Sequence, residues 1–296
     1  MAIFYYNGTG PQGSEDGSSA SNASGSTSAA IAALSGGVEV TAGTFTLTAA
    51  QASGQSITGA GNVAVTAIDQ ALTANLSGIT VLGSKTGTFE NTATFTGNFG
   101  LVAVTVSASK VLNASASVLQ NGSVVVTGDV ALTDTSLAAT VLNAVNNNTS
   151  GVLSAASLTS ISGAASDVMA AYSANNSGTI TGLGNEAVTL SGSTSVSDAN
   201  SVDGSTSGVI TATISQGDLA TLAGLTGTGN AYSVTLTDST AEASDLNTLD
   251  GKTTVAVNAG SVATLTGTTA EALTAYNSSG LTGLGNEAVT ISDTTL

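Results

Sequence analysis

The 296-residue chain has no histidine, cysteine, arginine or tryptophan, and a single proline at Pro11. Without histidine the usual general base of nucleophilic catalysis is gone, and without cysteine so is thiol chemistry. Zinc loses both of its favoured ligands. Basic charge is nearly absent as well: Lys85, Lys110 and Lys252 stand against nineteen acidic residues, for a formal net charge of −16. Nucleic-acid binding, which needs clustered Lys and Arg to neutralise phosphates, is excluded on that balance. Adsorption to anionic membranes is disfavoured for the same reason.

Aromatic residues make up 3% of the chain and charged residues 7%, where an average globular domain is about a quarter charged. No stretch approaches the roughly twenty apolar residues of a membrane span. The first residues, MAIFYYNGTGPQGSEDGSS, carry neither the basic nor the apolar region of a signal peptide. What fills the chain instead is Ala, Val, Leu, Ile, Ser, Thr, Gly and Asn. Disordered chains are short of β-branched residues and rich in Pro, Lys and Glu, so this composition reads as strands and tight turns.

The chain repeats itself. The nonapeptide TGLGNEAVT occurs at Thr181–Thr189 and again at Thr282–Thr290. Upstream, Thr133–Tyr172 aligns with Thr237–Tyr276 at a constant offset of 104 residues, whereas the nonapeptides are 101 apart. Shorter relatives lie between: SDANSVDG at Ser197–Gly204 parallels SDLNTLDG at Ser244–Gly251, and TGTGNAYSVTLTD at Thr226–Asp238 parallels the second nonapeptide. The unit is therefore about fifty residues, with a degenerate version, ITGAGNVAVTAID, at Ile57–Asp69.

Within a unit, VAVNA and AVTIS alternate as short strands, and SDVMAAY and AEALTAY have helical spacing. Each unit reads as two turns of roughly 25 residues, each a strand and a short helical or looped return. One turn cannot bury its own apolar face, but stacked turns can. The expected fold is mainly β: a repetitive β-solenoid-like stack with short helices in the returns, its narrow interior filled by small β-branched residues rather than large rings. A β-sandwich array is the alternative.

Three regions follow. Residues 1–35 read as a flexible arm in which Ile3, Phe4, Tyr5 and Tyr6 form a sticky strand on a Gly/Ser-rich leash, an assembly element by strand addition; an ordinary first strand is the equal alternative. Residues 36–132 are a divergent β-rich region. Residues 133–296 hold the repeats, and because SDTTL at Ser292–Leu296 matches the opening TDTSL of Thr133–Leu137, the repeat is expected to continue in a longer product.

Motifs of chemistry are few. Gly8-Thr9-Gly10-Pro11-Gln12-Gly13 satisfies the dinucleotide pattern, but no amphipathic helix follows it. GITVLGSKT at Gly78–Thr86 has serine where a phosphate loop needs lysine. Carboxylate chemistry of the glycosidase kind survives the missing residues, yet sugar platforms and basic groups are scarce, so no catalytic residue is assigned. Calcium is the one cofactor expected, with Asp198, Asp203, Asp245, Asp250, Glu186 and Glu287 as candidate oxygen ligands. The competing reading has these side chains capping turns. For TGLGNEAVT itself that reading is strong, except at Glu186 and Glu287, whose places in the shorter copies are taken by Ala231 and Val63.

The segment Ser244–Thr295, SDLNTLDGKTTVAVNAGSVATLTGTTAEALTAYNSSGLTGLGNEAVTISDTT, resembles tandem repeats of very large surface and adhesin-like proteins of marine bacteria and cyanobacteria. The resemblance covers Thr133–Leu296, is faint over Gly36–Leu132 and does not extend to the arm. Similar repeats occur in phage fibre proteins, and the composition resembles that of surface-layer proteins. The resemblance implies an extracellular, structural role: a homopolymer forming a filament, lattice or stalk at the cell surface, meeting itself and cell-surface polysaccharide. The alternative is a virion fibre fixed to a virion anchor by its N-terminal arm, and a carbohydrate-active enzyme ranks last.

Overall fold

The computed structural model describes residues 4–6, 11–14, 37–120 and 124–293. Two compact units emerge. The first is built from residues up to Asp134 together with Val141–Ser157 and Asn176–Gly182, and the second from Thr135–Thr140, Leu158–Asn175 and the chain from Leu183 onward.

In the first unit, one five-stranded sheet runs Val126–Thr127, Ala103–Val106, Lys85–Phe89, Asn62–Thr66, Thr44–Thr48. Another runs Ile180–Thr181, Leu153–Ser154, Asp129–Leu132, Val111–Ala114, Ala93–Thr94. A four-stranded sheet begins Pro11–Ser14, Phe4–Tyr6, Val38–Val40. The second unit has a five-stranded sheet from Ser136–Ala138 through Ser160–Gly163, Ala187–Thr194 and Ile210–Ile214 to Ala231–Ser233. It also holds a three-stranded sheet, Thr240–Glu242, Thr264–Gly267, Ala288–Ile291, and a two-stranded one, Val257–Asn258 with Leu281–Thr282.

Among the described residues every strand pairing is parallel except that of Phe4–Tyr6 with Pro11–Ser14. Parallel neighbours cannot be joined by a hairpin; the chain must cross back over a dozen or more residues, usually in a helix. It does so here. Thr240 pairs with Thr264 and Thr264 with Ala288, a step of 24 residues each time, and Thr269–Asn277 forms a helix within the second crossing.

These crossings overturn the expected fold. The molecule is a mixed α/β fold of parallel sheets flanked by helices, neither a β-solenoid-like stack with minor helical returns nor a β-sandwich array. The reason lies in the returns. Ser195 accepts from the Asp198 N–H at 3.0 Å and starts the helix Val196–Asp203; Thr268 and Glu271 form a capping box at the start of Thr269–Asn277. Each helix then buries one stripe: Val168, Ala171 and Tyr172 in Ala165–Ser177, and Ala243, Leu246 and Leu249 in Ala243–Asp250. Burying each Val or Leu contributes roughly 1.5–3 kcal/mol, so the returns are packed layers.

Strand burial follows period two. In Ile210–Ile214 the three odd-placed residues Ile210, Ala212 and Ile214 are buried while Thr211 and Thr213 face outward. The interior departs from the sequence expectation in one respect. Phe89, Phe95 and Phe99 are wholly buried in the first unit, with Phe95 stacked on Phe99 at 4.0 Å between centroids and Phe89 edge-on to both. Large rings fit because they fill one another's space, with the offset and edge-to-face contacts that aromatic quadrupoles favour.

Candidate functional site

The repeated nonapeptide builds the same loop twice. Gly182 and Gly184 have φ of 89° and 131°, and Gly283 and Gly285 have 87° and 129°, left-handed values that only glycine adopts without strain. The turn points successive backbone N–H groups at one spot, a nest that attracts an anion. The next residue supplies it. Glu186 Oε2 accepts from the N–H of Gly184 at 2.9 Å and of Asn185 at 3.2 Å, while Oε1 accepts from the Tyr172 hydroxyl. Glu287 repeats this with Gly285 at 2.7 Å, Asn286 at 3.0 Å and the hydroxyl of Tyr276.

The spacing between partners differs, 14 residues for Tyr172 and Glu186 and 11 for Tyr276 and Glu287. The helix absorbs the difference: Ala165–Ser177 runs on past its tyrosine for more than a turn, whereas Thr269–Asn277 ends one residue after it. The pair is thus kept while the chain between is not.

Burial, followed by the bond to Glu186 and its charge, pushes the Tyr172 hydroxyl far above the ordinary tyrosine range. For Tyr276 the bond to Glu287 comes first, then burial, and the hydroxyl is pushed up to about 12. Burial acts to raise the Glu287 carboxyl, but the bonds from Tyr276 and from the Gly285, Asn286 and Glu287 backbone together hold it below the usual carboxylate range. A phenol driven this way is locked as a donor. That is the opposite of what a tyrosinate nucleophile or base requires.

The shorter copy reaches a similar end with other residues. Ala231 occupies the glutamate's place, and buried Asn230 takes over: its Nδ2 donates to Asp203 Oδ1 at 2.8 Å and to the Tyr232 hydroxyl at 3.1 Å, while its Oδ1 accepts from Ile210 N at 2.9 Å. Burial, then the Asp203 charge, pushes Tyr232 up to about 12. A carboxylate, an amide or backbone donor set and a tyrosine recur, drawn from different positions.

Comparison with protein-family models, curated proteins and solved structures finds no match. The site is therefore read from its own chemistry.

The segments holding the other calcium candidates are helices rather than turns. Asp198 and Asp245 lie in the first turns of Val196–Asp203 and Ala243–Asp250, where negative charge suits the helix dipole. Asp203 and Asp250 end those helices, where the dipole opposes them by about 0.3–1 kcal/mol. Lateral bonds offset that: Thr226 Oγ1 donates to Asp203 at 3.2 Å, in addition to Asn230, and Ser278 Oγ donates to Asp250 at 2.6 Å. Among the described residues no group of three or more acidic side chains is placed to hold a metal ion. Three clefts lined by Asp198, Asp203 and Asp250 carry one carboxylate each.

Of the assembly candidates, Ile3 lies outside the described residues. Phe4, Tyr5 and Tyr6 form a strand with Val38–Val40 on one side and Pro11–Ser14 on the other, so both of its edges are occupied.

Sequence reasoning missed Tyr172, Tyr276 and Tyr232 as partners of carboxylates, and Asn230 as the substitute. A signal was present: tyrosine and glutamate occur together in both long copies. Asp134 and Asp238, each in an LTD sequence, and Asp293, in ISD, cap helices rather than turns. Asp134 Oδ2 accepts from Ala116 N at 2.7 Å, Asp238 Oδ2 from Leu219 N at 2.6 Å and Asp293 Oδ2 from Thr269 N at 2.8 Å. In every case the acceptor lies shortly beyond the strand of the next crossing, and the donor is the first N–H of the helix before it.

Proposed function

We propose that the protein is a non-enzymatic extracellular structural protein that assembles with itself into a filament, lattice or stalk at a bacterial surface. The observation that carries this reading is the use to which the repeated polar residues are put. Asp134, Asp238 and Asp293 cap the preceding helices, Asp129 Oδ1 accepts from Val152 N at 2.8 Å, Asn62 Oδ1 from Ser84 N at 2.8 Å and Asn200 Oδ1 from Thr226 N at 2.8 Å. Each bond ties one crossing of the chain to the next. Repetition that serves a scaffold in this way leaves little to repeat for catalysis.

Composition supports the same reading: a surface of Thr, Ser and Ala with a net charge of −16 stays soluble and tolerates oxidants in the absence of cysteine. Electron microscopy of the native material, with antibody labelling of intact cells, tests it. Filaments or a lattice labelled from outside are expected. Dispersed single particles inside the cell would remove the proposal, and label confined to phage particles would transfer it to a virion fibre.

A further inference from the structure

The helices Ala165–Ser177 and Thr269–Asn277 are counterparts, yet only the second has its first N–H met by an aspartate. In the second copy Gly267 lies opposite Ile291, and two residues further on Asp293 Oδ2 accepts from Thr269 N at 2.8 Å. In the first copy Gly163 lies opposite Leu190, so the same register puts Gly192 where Asp293 stands and Ala165 where Thr269 stands. Gly192 has no carboxylate to offer: its φ is 75°, and a Cβ there would meet no atom within 4 Å. Among the described residues the Ala165 N–H meets no acceptor.

The strand alongside opens a cleft at that spot. Val188 and Thr189 lie opposite Ile210 and Thr211, but Ser193 and Thr194 lie opposite Thr213 and Ile214, so Leu190, Ser191 and Gly192 bulge against Ala212 alone. Bulges of this kind re-aim side chains and gather at functional sites. Between the start of Ala165–Ser177 and the helix Val196–Asp203 lies a cleft of about 380 Å³, within the size range of small-molecule sites. Ala165, Ser166, Ser191, Ser193 and Ser201 line it together with Asp198. Thr194 lines it as well; it is only 3% exposed, and its hydroxyl has no partner among the described residues. A hydroxyl buried without a partner is costly, and each such group calls for an explanation.

We infer that this cleft binds a free α-amino acid as its zwitterion. The ligand's carboxylate does what Asp293 does in the other copy: it accepts from the Ala165 N–H, where the positive end of the helix dipole favours it, and from the Thr194 hydroxyl. Its ammonium faces Asp198, whose Oδ2 accepts from the Ser195 hydroxyl at 2.7 Å while the other oxygen accepts no bond among the described residues. Charge decides between a zwitterion and a simple anion. A net charge of −16 and a carboxylate in the cleft itself repel an anion, whereas a zwitterion is neutral overall. The surrounding serines favour a small or hydroxylated side chain. The site stands whether or not the chain polymerises.

L-Serine is the probe, added to the intact isotope-labelled chain, with the Ala165 amide followed by NMR. A saturable shift of that amide is expected. Asp198→Asn and Thr194→Val should each weaken binding about tenfold or more. Gly192→Asp returns an internal carboxylate, and Asp is among the residues that tolerate a left-handed backbone, so this variant should lose binding and melt higher. Thr194→Val should melt no lower than the parent, because the hydroxyl it removes bonds to nothing else in the protein. No saturable shift, an equal response to acetate, or binding left unchanged by Gly192→Asp or by Asp198→Asn would overturn the inference.

Discussion

The Tyr172 hydroxyl donates to the Glu186 carboxylate inside the protein, and Tyr276 makes the same bond to Glu287 at its surface. The same chemistry is thus present at two depths. Comparing them measures what burial adds to a tyrosine–carboxylate pair that closes a loop.

Tyr172→Phe is expected to destabilise the chain by about 1–3 kcal/mol, because a buried acceptor loses its donor. Tyr276→Phe is expected to cost about 0.5 kcal/mol or less, as exposed substitutions usually do. Urea midpoints at constant slope are the measurement. Equal losses from the two variants would show that the buried bond has no special weight.

Acid should act through the depressed carboxyls. Bonds with Thr221 hold Asp218 low, bonds with Thr268 hold Glu271 low, bonds with Thr269 hold Asp293 low, and Glu287 is lowered as described. Each folded value lies below the unfolded one of about 4, so their contribution is present above pH 4 and is lost as pH falls through the folded values. Melting temperature should therefore hold down to about pH 4 and then decline. Glu271→Gln, which keeps an acceptor without the charge, should flatten that decline.

Alkali works in the other direction. Tyr232 and Tyr276 are pushed up to about 12, and Tyr172 further, so their contribution is complete below the unfolded tyrosine value of about 10 and is lost as pH rises through the folded values. With Tyr5 and Tyr6 replaced by Phe, tyrosinate absorbance should appear only well above pH 10, in step with loss of circular dichroism for the two buried rings. Titration of all three near 10 in the folded chain would contradict the buried network.

Asp134→Ala and Asp238→Ala each remove the acceptor for a first helical N–H, at 2.7 and 2.6 Å, and are expected to cost about 1 kcal/mol. Asn at either position should restore most of it, since an amide oxygen also accepts. A loss that Asn fails to restore would point to the charge rather than the cap.

Chelation gives a further check. Glu186, Glu287, Asp203 and Asp250 already accept hydrogen bonds from the protein. Adding a calcium chelator is accordingly expected to leave the melting temperature unchanged. A fall would return these carboxylates to the role of cation ligands.

Much of the local architecture could be read in advance. AVTIS and SDVMAAY became the strand Ala288–Ile291 and the helix Ala165–Ser177 because period-two and helical spacing need only near neighbours. Asp198 and Asp203, which the competing reading places as turn caps in SDANSVDG, stand in a helix instead. Its Asp, Asn, Ser and Gly favour caps and turns in isolation, but Val196, Ala199 and Val202 lie on one buried stripe, and tertiary packing overrides weak propensity. The role of Glu186 was hidden for a different reason: its partner is 14 residues away across a loop, a distance that no local pattern encodes.

By itself the sequence determined the repeat, the glycine turns and the alternation of strands with caps, because each depends on backbone conformations a few residues long. It also excluded histidine and thiol chemistry, because it holds neither residue. Only the tertiary structure decided that the crossings are packed helices, that the LTD aspartates serve the preceding helix, and that Glu186 and Val188 of one nonapeptide are buried while Glu287 is half-buried and Val289 exposed in the other. Those outcomes depend on which strand lies alongside, and TGLGNEAVT is the same nine residues in both places.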